Sequence, residues 1–220
     1  MSEPAPTTRY EPRWPVVITI LAVLILQLEL PERVKLAPGW TLYVGGIAVM
    51  APMVAVGLSS AKTFWLRVER IVTLFFSVVI GLSTVLILVT LISEMLNPSG
   101  KISGLQLLAS SVAVWVFNVL AFTLLYWQID RGGPDARANN TSPRPDWLFP
   151  QEGAPEEDLS ADWRPMFVDY LFLGYCTATA FSPTDALPLT PRAKVLMMLQ
   201  SSISLVTIVV VASRAIGLLK

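Results

Sequence analysis

Five apolar runs leave this chain few ways to fold. They cover residues 15–30, 39–58, 71–93, 105–128 and 195–219. A helix needs about 20 predominantly apolar residues to cross about 30 Å of hydrocarbon. The last three runs meet that length. The first, PVVITILAVLILQLEL, is short and has to take in Trp14 or stand nearly upright. The second, GWTLYVGGIAVMAPMVAVGL, contains Pro52, which predicts a kink. The alternating ten-residue strands of a membrane β-barrel are missing. The expected fold class is an all-α membrane protein with about five transmembrane helices. Composition agrees, with 54% of residues hydrophobic and 15% charged, against roughly 45–50% and 25% in soluble domains.

The same composition narrows function. Sixteen basic residues balance sixteen acidic ones, so no basic surface is available for nucleic acid. Histidine is absent, which removes the usual general base and the commonest metal ligand. Cys176 is the single cysteine; it permits neither an intramolecular disulfide nor a thiolate cage and reads as a small apolar filler. We expect no enzyme activity, no cofactor and no metal.

Residues 1–14 read as a short disordered tail, without a small-residue cleavage site after the first run. Residues 15–104 hold three N-terminal transmembrane helices, and residues 105–220 form a second unit. Trp14, Trp40, Trp65, Tyr126 and Trp127 flank run ends, as interfacial belts do. AKTFWLRVER, 61–70, predicts an amphipathic interfacial connector. Gly45, Gly46, Ser77 and Gly81 suit close helix packing, and Asn118 an interhelical hydrogen bond.

The stretch 129–165 sets eight acidic residues against four arginines. It reads either as a solvated linker or as an acidic vestibule that concentrates cations at a pore mouth. WLFPQ, 147–151, is apolar enough to dock on the membrane face. DWRPMFVDYLFLGYC, 162–176, starts with a helix-capping signal, but its apolar part is too short to span. It predicts a re-entrant half-helix between the fourth and fifth spans. The polar stretch TATAFSPTDALPLTP follows at once. Non-helical backbone at membrane depth is tolerated only where protein buries it or water bathes it.

YCTATAFSPTDALPLTP resembles the pore signature of the potassium-channel superfamily, in which Thr-x-Thr-Thr-Val-Gly-Tyr-Gly-Asp is followed by an apolar pair, Pro, and often Thr-Pro. The alignment needs no gap. Thr177 and Thr179 fall on the filter-flanking threonines, Ala180 on the filter threonine and Phe181 on valine. Ser182, Pro183 and Thr184 fall on Gly-Tyr-Gly, and Asp185 on the aspartate. The resemblance implies an outer helix at 105–128, a turret at 129–165, a half-helix and filter-like loop at 166–191, and an inner helix at 195–219. It also implies a homo-oligomer, a tetramer, with monovalent cations as candidate partners beside the lipid bilayer. The filter is degenerate: both glycines and the inner threonine are replaced, and Pro183 fixes φ and removes a donor. Potassium coordination by a carbonyl ladder is not carried over. The core Ala-Thr-Ala-Phe-Ser-Pro-Thr-Asp is also similar to a family of bacterial inner-membrane proteins of unassigned activity, which implies that location.

Gln200, Ser204, Thr207 and Arg214 fall on one helical stripe of the last run. The stripe reads either as glue between helices or as a water-facing pore lining, with Arg214 a snorkelling anchor. Asp169 reads as a cap of the half-helix and Asp185 as an anchor of the loop. Odd-numbered spans place eleven of the sixteen basic residues on the N-terminal side. The positive-inside rule thus favours a cytoplasmic N-terminus, whereas the channel resemblance demands the reverse. Two functions follow: an ion-channel-like membrane protein passing ions or small solutes, or a non-conducting scaffold or accessory subunit that keeps a pore-domain fold.

Overall fold

The computed structural model describes the chain except residues 1–10, 33, 36–37, 59–61, 98–101, 140, 142–143, 156, 158–162, 180–185 and 219–220. For residues 42, 57–58, 62, 214–215 and 217–218 it describes the backbone alone.

Helix α1, Trp14–Glu29, opens on Pro15, whose missing N–H costs nothing in a first turn, and ends at extended Leu30 ahead of Pro31. Helix α2, Trp40–Leu58, runs on through Pro52. Helix α3, Lys62–Leu96, is 35 residues long, about 50 Å at 1.5 Å per residue. The interfacial connector expected at 61–70 is, over its described residues 62–70, the first part of this helix. Helix α4, Gly104–Ile129, starts on a capping box: Ser103 Oγ accepts from the Gln106 amide at 3.2 Å, and Gln106 Oε1 from the Ser103 amide at 2.9 Å. It stops where Arg131, Gly132 and Gly133 take positive φ of 53°, 79° and 98°. A five-residue helix α5, Pro134–Ala138, follows. Helix α6 is Phe167–Thr179 and helix α7 is Pro191–Leu218. Strands β1, Trp147–Leu148, and β2, Leu187–Pro188, form a two-residue antiparallel ladder.

Among the described residues, three helices are long and apolar enough to cross a membrane: Thr63–Leu96, Gly104–Gly132 and Pro191–Ser213. The apolar helices at Trp14–Glu29 and Tyr43–Val56 are shorter. Helix α4 is the centre of the bundle and packs on α3, α6 and α7. In its most apolar stretch 61% of residues are buried, against 39% in α3 and 22% in α7. The core is therefore an α4 core, with Val114, Phe117, Leu124, Tyr126 and Trp127 closed off.

Several expectations change. Tyr126 and Trp127 are fully buried rather than interfacial. Their polar atoms are satisfied inside: Tyr126 donates to Gln200 Oε1 at 2.6 Å and Trp127 Nε1 to Glu11 Oε1 at 2.8 Å. Within the expected tail, Glu11 is only 6% exposed; residues 1–10 lie outside the described residues. Of the glycines assigned to close packing, Gly46 fits, since a Cβ there would stand 2.6 Å from Leu24 Cδ1. Gly45 and Gly81 would meet nothing within 4 Å. Ser77 bonds back to the Thr73 carbonyl at 2.7 Å within its own helix.

Candidate functional site

Helix α6 has 13 residues, about 20 Å, and is held on two sides. Its Gly174 lies against α4, where a Cβ would sit 2.5 Å from Thr123 Oγ1 and 3.3 Å from the Val119 carbonyl oxygen. Only hydrogen at this position allows the two helices to touch. Gly174→Ala is expected to cost about 1–3 kcal/mol through overpacking. Thr123→Ala should restore part of that loss by removing the nearest atom. Thermal melts of both single variants and the double variant in detergent check this, and strict additivity would contradict it.

On the other side α7 reaches across with its polar stripe. Gln200 Nε2 donates to the Gly174 carbonyl at 2.7 Å, and Ser201 Oγ to that of Thr177 at 3.1 Å. Ser204 Oγ donates to the Ala178 carbonyl. Thr179 Oγ1 donates to the Cys176 carbonyl at 3.1 Å. The last four carbonyls of a helix have no partner within it. Here those of residues 176, 177 and 178 each receive a hydroxyl instead. Gln200 is itself clamped: Tyr126 donates to its side-chain oxygen and Asn118 Nδ2 to its backbone oxygen at 3.0 Å. Asn118 thus makes the interhelical bond its position suggests.

These contacts set a level. Ser204 is the fourteenth of the 28 residues of α7, so α6 ends halfway along α7. The chain returns at Ala186, and Leu187 and Pro188 then pair with Leu148 and Trp147 next to the first turn of α7. Residues 180–185 lie outside the described residues.

The start of α6 and the start of α7 are fixed by buried charge. Asp130 and Asp146 have no exposed surface. Asp130 Oδ2 accepts from Tyr170 Oη at 2.5 Å, and Oδ1 from the Asp146 amide at 2.7 Å. Asp146 accepts from Thr190 Oγ1 at 2.5 Å and from Arg192 Nε at 2.6 Å. Leu189 donates its amide to the Asp146 carbonyl at 2.8 Å. Burial pushes the Tyr170 phenol well above its ordinary range, so it remains a neutral donor. Glu11 closes the ring: its Oε1 accepts from the Trp127 indole and the Phe167 amide, both at 2.8 Å, and Arg137 lies 3.4 Å from its Oε2. Arg137 also donates to the carbonyls of Trp127 and Asp130 and stacks 4.7 Å over the Tyr170 ring. Arg13 binds Glu69 of α3 at 2.8 Å.

At Asp130 and Asp146 the stretch 129–165 is therefore neither a plain linker nor a vestibule, since both point inward to partners; residues 140, 142–143, 156 and 158–162 lie outside the described residues. WLFPQ docks into protein rather than onto a membrane face. Trp147 is fully buried 4.7 Å from the Tyr126 ring, and Phe149 lies 5.4 Å from that of Tyr170.

Of the residues singled out from sequence, Thr177 is buried and its hydroxyl is used on the Leu173 carbonyl at 2.7 Å. Thr179 lies beside a cavity of about 220 Å³ between α4 and α7, which Thr207 also lines. Ala180, Phe181, Ser182, Pro183, Thr184 and Asp185 lie outside the described residues. Gln200, Ser204 and Thr207 are brought together on the face of α7 turned to α6 and α4, all buried. The Arg214 side chain lies outside the described residues. Asp169 caps α6, accepting from the Met166 amide at 2.7 Å. Sequence reasoning missed Glu11, Arg137, Tyr170 and Gly174. Gly174 carried a readable signal, a small residue in the middle of a short apolar helix; the others carried none.

No protein-family model, curated protein or solved structure matches the chain.

Proposed function

We propose that the chain is an integral protein of the bacterial inner membrane with five transmembrane helices and α6 as a re-entrant half-helix. In this reading it assembles as a homotetramer and passes cations or small solutes along the polar loop that follows α6. The observation that carries it is the capped end of α6. A 13-residue helix stops halfway along α7, and hydroxyls from α7 satisfy the carbonyls that lipid cannot. In this reading the polar residues that follow Thr179 in sequence sit at mid-depth, where irregular backbone is tolerated if protein buries it or water bathes it; the proposal takes the second. One protomer cannot enclose an axis, so copies have to meet around it.

One observation favours the second reading, a non-conducting scaffold or accessory subunit. The stripe Gln200, Ser204 and Thr207 faces its own protomer, while the opposite face of α7 presents Met198, Leu205 and Val209, each more than half exposed. That face offers few polar groups to a pore.

Cation flux into reconstituted vesicles separates the two. A pore gives flux from the wild type. Asp185→Asn then lowers it about tenfold by removing a ring of carboxylates that gathers cations. Ser182→Gly with Thr184→Gly alters selectivity. Background flux from all three proteins, with assembly intact, ends the pore reading in favour of the scaffold.

A further inference from the structure

Between α1, α2 and α3 lies a groove of about 430 Å³ with no α6 residue in its lining. Val44 of α2 and Phe75 and Val79 of α3 form its walls, and all three are exposed. It is open because Gly45 lines it with no side chain; a Cβ there would meet nothing within 4 Å. The adjacent Gly46 does the opposite and seals α2 against Leu24 of α1.

The polarity of the groove is one-sided. Gln27 near the end of α1, Lys35 in the connection and Thr41 in the first turn of α2 gather at one end. The remainder is lined by apolar side chains and glycine apart from Ser83. A charged head at one end and a long apolar body match an amphiphile rather than another helix, which would need apolar contact along its whole length. Within the apolar span of α3 the surrounding solvent is lipid.

We propose that this groove is a phospholipid site, holding one acyl chain along α2 and α3 with the lipid phosphate at Lys35. Lys35 Nζ is paired with Glu32 at 2.7 Å, and Glu32 is 88% exposed. Lys35 itself is 17% exposed, but its partner stands in solvent and such a pair contributes little, so a phosphate, a habitual lysine partner, displaces the carboxylate. The inference rests on the chain lying in a bilayer and is independent of whether it conducts.

The test is native mass spectrometry of the full chain extracted from vesicles of equal phosphatidylglycerol and phosphatidylcholine. The wild type should retain one phospholipid per protomer, with the anionic lipid enriched about fivefold by one lysine. Gly45→Phe and, independently, Ala48→Phe place a ring in the groove and should reduce retention at least about tenfold. Lys35→Gln should keep the lipid and lose the enrichment. Unchanged retention in both phenylalanine variants overturns the proposal. So does a wild type that retains no lipid while Gly45→Phe lowers the oligomer mass, because the groove is then an interface between copies. Flux measured on the same samples reports on the pore separately.

Discussion

Asp130→Ala is expected to destabilise the protein by about 3–5 kcal/mol, as breaking a buried charge cluster does. The substitution strands the Tyr170 hydroxyl and the Asp146 amide, both of which now bond the Asp130 carboxylate in a site closed to solvent. Each stranded group adds about 1–3 kcal/mol. Asp146 then loses its orientation toward Thr190 and Arg192, so the start of α7 loosens with it. Asp130→Asn keeps the shape and one acceptor, and its cost should be about half. Thermal melts in detergent, followed by size-exclusion chromatography, measure both. Equal losses for the two variants would show that packing rather than charge holds this corner.

Glu11→Ala should be comparably severe, about 3–5 kcal/mol, although it lies before the first helix. Its carboxylate is the acceptor for the Trp127 indole and for the first amide of α6, with Arg137 alongside. A carboxylate at a helix N-terminus also meets the positive end of the helix dipole. Glu11→Gln retains an acceptor and loses the charge, so it should fall between alanine and wild type. Hydrogen exchange gives the local readout: first-turn amides of α6 should exchange faster in Glu11→Ala while those in the middle of α4 stay protected. A uniform acceleration across both helices would mean that Glu11 acts on global stability alone.

These two residues mark the boundary of what could be read in advance. Apolar runs at 39–58, 105–128 and 195–219 lie within four residues of the ends of α2, α4 and α7, because lipid-facing helices announce themselves by composition. Of the stripe read from spacing, Gln200, Ser204 and Thr207 are buried on one face of α7, and the Arg214 side chain lies outside the described residues. Spacing is blind to what that face meets, and it meets the carbonyls of α6. The stretch 129–165 misled for a related reason. Its acids and prolines resemble those of a solvated linker, yet Asp146 finds Arg192 46 residues away and Glu11 finds Arg137 126 residues away. Local periodicity reports neighbours three or four positions apart and carries nothing about partners at that distance. Gly46 and Gly45 were alike in sequence, and only the position of Leu24 tells them apart.

The position of Glu11 also dictates an order of events during synthesis. Its partners arrive 116, 126 and 156 residues after it, as Trp127, Arg137 and Phe167. At about 5–20 residues per second, the last emerges roughly 8–30 s later. Translation that halts before Phe167 leaves the carboxylate with Trp127 and Arg137 but without the first amide of α6. The full set of partners of this buried carboxylate therefore exists only once the chain has been made as far as the start of α6.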